Sequence, residues 1–178
     1  MHAPGPSLRL FYALWPDADT RTGLTQLPLN VTGRRMPAQH YHLTLAFLGR
    51  QPASAVPMLA AIMDALPAGG MTLRFDRIGV FRRHRILWAG MEHCPAALTA
   101  LHAALLVQLA DHAIMVPGTA AFKPHVTLMR DVDSPPLAPH WPSPPLVWQA
   151  RELALIASRA TPSGASYEVL ASRHLQLP

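Results

Sequence analysis

Two short stretches with the same polar pattern constrain the fold of this chain most strongly. His42 and Thr44 alternate with leucines in "HLTLAFL", and His125 and Thr127 alternate with apolar residues in "HVTLM". Alternation with a period of two is typical of a β-strand that has one face in the core and the other outside it. Each stretch therefore predicts a strand with an apolar underside and an upper face that carries one histidine and one threonine.

The alternation also assigns the neighbouring residues of the first strand to one face or the other. Ala46 is expected on the polar face, whereas Phe47 is expected on the core face with the leucines. The polar face is predicted to be a site because the same pattern, which would arise rarely by chance, occurs once in each half of the chain. The alternative for either copy alone is a half-exposed strand whose polar residues face water.

The remaining sequence predicts helices and further strands around these two. Helical patterns cover residues 17–27, 53–67 and 96–112, and strand patterns cover 8–16, 71–81, 85–91, 147–158 and 165–175. The proline-rich stretch 131–146 is predicted to be a loop. This order favours two similar α+β halves over a doubly wound parallel sheet. A glycine-rich phosphate loop follows none of the strands, which argues against dinucleotide and P-loop sites.

Length and composition indicate one globular unit, residues 1–178, that acts on an anionic partner. The 178 residues are 50% apolar and 14% charged, with a net charge of +5 that favours nucleic acid or a phosphorylated small molecule. The apolar runs are shorter than the roughly 20 residues of a membrane helix. Because the start of the sequence resembles no secretory signal, we expect a cytoplasmic location, and we expect a monomer because oligomerisation motifs are not apparent.

Two histidines and two threonines on facing strands suit acid–base chemistry at a phosphate. Histidine has an ordinary pKa near 6.5, so one copy can act as a base while the other acts as an acid. Threonine hydroxyls can donate hydrogen bonds to phosphate oxygens. A metal site is a weaker alternative, because Asp131 and Asp133 lie beyond Arg130 and neither motif contains a carboxylate or a thiol. A serine-type triad is weaker still, since no recognisable nucleophile turn is present.

At these residues the sequence resembles the two-histidine (2H) phosphoesterases, and within them the bacterial LigT-like RNA 2′,3′-cyclic phosphodiesterases, also called 2′-5′ RNA ligases. The stretches that carry the resemblance are "LRLFYALWP", "HYHLTLAFLG", "ILWAGM", "FKPHVTLMRD" and "ELALIASR", in the family's order. The resemblance implies an α+β fold of two pseudo-symmetric lobes, with antiparallel sheets that form a central cleft and helices on the outside.

The resemblance also implies roles for individual residues. His42 would be the proton donor, His125 the proton acceptor, and Thr44 and Thr127 would hold the phosphate. Arg130, Lys123 and Phe47 would contact the substrate, although the apolar neighbours of Phe47 favour core packing. The implied reaction opens a terminal 2′,3′-cyclic phosphate of RNA, including tRNA fragments, to a 2′-phosphate.

This implied chemistry requires neither a metal nor another cofactor. Its reverse would join RNA ends through a 2′-5′ linkage, which accounts for the ligase name. Two alternatives stay open: a cyclic phosphodiesterase that acts on a small nucleotide or a 2′-5′ oligoadenylate, and an RNA-end binding module without catalysis.

Overall fold

The protein is built mainly from antiparallel β-strands. A computed structural model describes residues 6–117, 121–133, 141, 144–162 and 164–177. The strands are β1 (Ser7–Leu14), β2 (Arg34–Arg35), β3 (Leu43–Pro52), β4 (Met71–Phe75), β5 (Arg77–Phe81), β6 (Ile86–Gly90), β7 (His125–Arg130), β8 (Leu146–Ala150), β9 (Glu152–Thr161) and β10 (Gly164–His174). The helices are α1 (Ala18–Thr25), α2 (Val56–Ala65) and α3 (Ala96–Asp111).

The strands form two lobes that meet at the two histidine motifs. The order of hydrogen-bonded strands is β10-β9-β1-β3-β7-β6-β5, and β2 pairs with β7. The first lobe comprises β10, β9, β1 and β3, and the second comprises β7, β6 and β5 with β2. Leu43 of β3 pairs with Val126 of β7, so one continuous sheet runs through both lobes. The prediction of a two-lobed, antiparallel α+β fold is confirmed.

Two of the predicted strands are each divided between two sheets. The strand predicted over 71–81 breaks at Asp76 into β4 and β5, and the one over 147–158 breaks at Arg151 into β8 and β9. β4 and β8 pair with each other in a separate two-stranded sheet. The Asp76 carboxylate accepts a hydrogen bond from the Glu92 backbone N–H at 2.8 Å, which fixes the corner. The prediction was wrong here because neither break contains a Gly or a Pro, and the only local mark is a pair of adjacent polar residues, Asp76 with Arg77 and Arg151 with Glu152.

The helices cover one face of the sheet and build the main core. The four leucines of α3 predicted to form a core stripe, Leu98, Leu101, Leu105 and Leu109, are all buried. α2 packs on β9 and β10, and α3 packs on β3. The Asp17 carboxylate begins α1 by accepting a hydrogen bond from the Thr20 N–H at 2.7 Å. In the described part of the chain, no helix is long and apolar enough to cross a membrane.

A smaller buried cluster lies on the opposite face of the first lobe. It comprises Phe11, Ala13, Ala154 and Ile156, with Trp15 and Tyr167 packed at its margin. β1 contributes to both faces because its residues alternate: Tyr12 points into the main core and donates a hydrogen bond to the Leu59 carbonyl at 2.7 Å. The second face therefore gives the first lobe a rigid apolar floor on the side away from the helices.

The predicted loop over residues 131–146 lies largely outside the described residues, which include 131–133, 141 and 144–146 of it.

Candidate active site

The register between β3 and β7 brings the two motifs together. Leu43 and Val126 are directly paired, and both are fully buried against the main core. The residues on either side of each must therefore point to the opposite face. Antiparallel pairing sets the histidine of each motif across from the threonine of the other, at roughly 5 Å between Cβ atoms. The two resulting pairs are His42 with Thr127, and His125 with Thr44.

Beyond Thr44, β3 contains two irregularities, and the first of them, at Leu45, overturns the predicted faces of Ala46 and Phe47. β1 and β3 change register so that Leu45 and Leu48 have no direct partner on β1. Each extra residue reverses the alternation that follows it. Ala46, predicted on the site face, is 3% exposed in the main core, and Phe47, predicted on the core face, is 50% exposed. The prediction of core packing for Phe47 was wrong, since Phe47 lines the same cavity as the histidines.

Both histidine rings are held by the same backbone contact. Nδ1 of His42 lies 2.7 Å from the carbonyl oxygen of His40, and Nδ1 of His125 lies 2.7 Å from that of Lys123. A carbonyl oxygen can only accept, so each Nδ1 carries a proton and donates it. In the neutral rings the lone pair is therefore on Nε2. Each motif thus fixes its imidazole tautomer through the residue two positions earlier in the chain.

His42 lies in an aromatic setting that disfavours its charged form. Its ring contacts Phe11 at 4.9 Å and Tyr167 at 5.1 Å between centroids, and it stacks on Trp15 at 6.0 Å. The pKa of His42 is lowered from 6.5 to about 4, mainly by burial and to a smaller extent by the charges of His125 and Arg130, against the favourable His40 hydrogen bond. In the free protein His42 is therefore neutral at physiological pH.

His125 is held by a second aromatic pair in the other lobe. Its ring lies 4.9 Å from Phe81 and 6.1 Å from Trp88. Burial is the main cause that lowers the pKa of His125, with smaller contributions in the same direction from Lys123 and Arg130. The two histidines therefore share the same environment in kind: an aromatic bed, a donated Nδ1–H and nearby positive charge.

One cavity of about 420 Å³ contains six of the seven residues singled out from the sequence. They are His42, Thr44, Phe47, His125, Thr127 and Arg130. Lys123 does not line this cavity. Its ammonium group lies 4.9 Å from the Trp88 ring centre and 5.3 Å from that of Phe81, so its side chain packs on aromatic faces while its carbonyl orients His125.

Sequence reasoning missed several residues that complete this cavity. Tyr167 of β10 contacts both His40 and His42, and Arg9 of β1 and Ser158 of β9 also line the space. His40 orients His42 through its backbone carbonyl, which every residue has, so its residue type does not signal this contact. The residues from β1, β9 and β10 had no local signal, because only the pairing of distant strands brings them to the site.

The described residues contain no group of three or more His, Cys, Asp or Glu side chains that could hold a metal ion. The ionisable side chains that line the cavity are histidines, arginines and Tyr167. These groups are suited to binding an anion and to moving protons around it.

Residues 16–162 match the family described as the 2′-5′ RNA ligase superfamily. This span includes both histidine motifs and the strands that bring them together. The chain belongs to this superfamily. The resemblance to the two-histidine phosphoesterases, first noted on the motifs, is confirmed.

Two curated members of the superfamily are similar to most of the chain. The RNA 2′,3′-cyclic phosphodiesterase of Escherichia coli is 34% identical over 142 residues, which cover 75% of this chain and 80% of that protein. The protein of the same name from Thermus thermophilus is 29% identical over 178 residues, covering 92% and 88% respectively. The crystal structure of E. coli LigT complexed with 3′-AMP has a TM-score of 0.82 at 28% identity, covering 96% of this chain and 99% of that one.

Proposed function

We propose that this superfamily member hydrolyses the terminal 2′,3′-cyclic phosphate of RNA to a 2′-phosphate, with His42 as the acid and His125 as the base. The observation that carries the proposal is the matched pair of imidazoles: both line one cavity, and both have Nδ1 occupied by a backbone carbonyl, which leaves Nε2 for the substrate. The names of the curated relatives support the choice of substrate.

The proposed step balances with one water and no other reactant. Nε2 of His125 takes a proton from the water, whose oxygen attacks phosphorus. The bond between phosphorus and the ribose 3′ oxygen breaks, and the Nε2–H of His42 protonates that oxygen. The products are a 2′-phosphate and a free 3′-hydroxyl. Exchange of one proton with solvent restores the starting state, and each positioned acid or base contributes about 10²- to 10⁴-fold.

The step needs a protonated His42, although this ring is neutral in the free protein. The anionic cyclic phosphate supplies the missing stabilisation, because a negative charge beside an imidazolium raises its pKa. The Nδ1–H of His42 already donates to a carbonyl at 2.7 Å, a bond that favours the charged ring. We infer that the substrate binds together with a proton. Because kcat/KM reports the protonation of the free protein, it already falls with rising pH below neutrality, once the pH exceeds the lowered pKa values of His42 and His125.

The threonines and Arg130 serve the phosphate in this proposal. Thr44 and Thr127 lie across from the histidines and donate to the non-bridging oxygens. Replacing either by valine keeps the side-chain shape and removes one donor to developing charge, which is expected to lower kcat/KM by about 10²- to 10³-fold. Arg130 is partly buried in the same cavity and adds a fixed positive charge. Replacing Arg130 by methionine is expected to raise KM more than it lowers kcat.

The decisive experiment is incubation of the protein in excess EDTA with an RNA oligomer that ends in a 2′,3′-cyclic phosphate, followed by identification of the opened end. A 2′-phosphate product supports the proposed reaction and its independence of metal. A 3′-phosphate product would reverse the identity of the leaving oxygen. An intact end, with binding retained, would favour the non-catalytic alternative. A cyclic mononucleotide assayed in parallel tests the small-nucleotide alternative, and an added 5′-hydroxyl RNA tests 2′-5′ ligation.

Variants of the histidines test the roles. His42→Ala and His125→Ala are each expected to lose at least about 100-fold in kcat/KM. His174→Ala, which replaces an exposed histidine of β10, is the control and should retain full activity.

A substrate with sulfur in place of the ribose 3′ oxygen separates acid from base, because a thiolate leaves without protonation. This substrate should restore much of the rate in His42→Ala and none in His125→Ala. The opposite pattern would exchange the two roles.

A further inference from the structure

A second cavity adjoins the active-site cavity and extends along the first lobe. It has a volume of about 520 Å³ and shares Arg9, Ser158 and Ala165 with the active-site cavity. Two more arginines line it, Arg50 of β3 and Arg159 of β9. A ligand held at the histidines can therefore continue into this space without leaving the protein surface.

The strand register places three of the lining residues, Arg50, Arg9 and Ser158, side by side in a row. Arg9 is paired with Arg50 on one side and with Ser158 on the other. Directly opposite residues of antiparallel strands point to the same face. Arg9 is two residues from Phe11, so it also shares the face that carries the floor of the active site. The row thus runs across β3, β1 and β9 on the cleft side of the sheet.

Two like charges placed side by side favour an anion between them. Directly opposed cross-strand cations are unfavourable unless a negative group compensates them. Within the part of the chain that the structure describes, neither Arg9 nor Arg50 forms an ion pair, and the Arg50 guanidinium donates one hydrogen bond, to the Ser7 hydroxyl at 3.3 Å. Arg159 differs, because Glu168 accepts a hydrogen bond from it at 2.9 Å. Arg9 and Arg50 are therefore the uncompensated charges of the cavity.

The distance between the proposed phosphate site at Thr44 and the arginine row corresponds to a short piece of RNA. Thr44 pairs with Ala13, and Arg9 lies four residues earlier on β1. At about 3.3 Å per residue the row lies roughly 13 Å along the sheet from the threonine. That span is one to two nucleotide steps of an extended strand. Phe47 is half-exposed and lies between the histidines and the arginine row, so its ring offers a face on which an intervening base can stack.

We propose that Arg9 and Arg50 bind an internal phosphodiester of the RNA, one or two nucleotides upstream of the cyclic end. This inference rests on the proposed function, since it assumes that the reacting phosphate lies at the histidines. It assigns the protein a preference for oligonucleotides over cyclic mononucleotides. It also predicts a stronger dependence on salt for the longer substrates, because each contacted phosphate of a single strand contributes about 0.7 to the slope of log affinity against log salt concentration.

The test compares cyclic mono-, di-, tri- and tetranucleotides with wild-type protein, Arg50→Gln and the control Arg74→Gln. Arg74 is an exposed arginine on β4 in the separate two-stranded sheet. We expect kcat/KM of the wild type to rise about tenfold between the mononucleotide and the tetranucleotide, and Arg50→Gln to remove most of that gain while leaving the mononucleotide unchanged. The control should behave as the wild type.

Binding of oligonucleotides that end in a 2′-phosphate, measured by fluorescence anisotropy, provides a second readout that does not require turnover. Arg50→Gln should weaken the tetranucleotide, lower its salt slope by about 0.7, and leave a 2′-phosphate mononucleotide unaffected. Equal kcat/KM for all lengths, or an equal loss for all lengths in Arg50→Gln, would overturn the inference and leave the proposed function standing. Arg50-dependent binding of oligonucleotides, with no turnover of a substrate of any length, would support the inference and overturn the proposed function.

Discussion

Acid should destabilise this protein through His42, and the size of the effect can be worked from the structure. The pKa of His42 is about 4 in the folded protein and 6.5 in an unfolded chain. At about 1.4 kcal/mol per pKa unit, the free energy of unfolding decreases by about 3 kcal/mol once His42 is fully protonated in both states. The stability is fully present above pH 6.5, declines as the pH falls, and is lost below about pH 4.

The comparison that isolates this contribution is urea denaturation of the wild type and His42→Gln at about pH 7 and about pH 4. Other histidines and the carboxylates titrate in both proteins. Only the difference between the two proteins in the stability lost from about pH 7 to about pH 4 is therefore due to His42. We expect His42→Gln to lose about 3 kcal/mol less than the wild type on acidification. His174→Gln, at an exposed position, serves as the control and should lose as much as the wild type.

An equal loss of stability on acidification in the wild type and His42→Gln would refute the reasoning, because it would mean that the surrounding aromatic rings do not desolvate His42. The same measurement bears on catalysis. With a pKa of about 4, roughly one free molecule in a thousand carries a proton on His42 at pH 7. A pKa near 6.5 would remove the need for proton uptake with the substrate.

Two further predictions concern packing beneath the site. Gly79→Ala would place a Cβ inside the Trp88 indole, on which the His125 ring packs. It should lower the free energy of unfolding by about 1 to 3 kcal/mol and lower activity. In the control Gly69→Ala the added Cβ meets no atom within 4 Å, so neither stability nor activity should change. Unfolding by urea measures both. Tyr12→Phe leaves the buried Leu59 carbonyl without its 2.7 Å hydrogen bond and should cost about 1 to 2 kcal/mol without altering kcat, so a large loss of activity would contradict a purely structural role.

The deviations from the predicted strands have specific physical origins. A period of two assigned the first residues of β3 correctly, and it failed after Leu45 because the pairing with β1 inserts an extra residue there. Nothing in "LTLAFLG" marks that irregularity. The breaks at Asp76 and Arg151 have a different origin, since each marks a change of partner strand.

The sequence by itself determined the features that depend on neighbours along the chain. These are the alternation that puts a histidine and a threonine together and the leucine stripe of α3. Only the tertiary structure decided the features that depend on strand pairing. β3 and β7 meet at one residue pair, and β1 with β10 buries His42 and lowers its pKa. Arg9 stands beside Arg50 for the same reason: their pairing joins residues 41 positions apart, a separation over which local sequence carries no information.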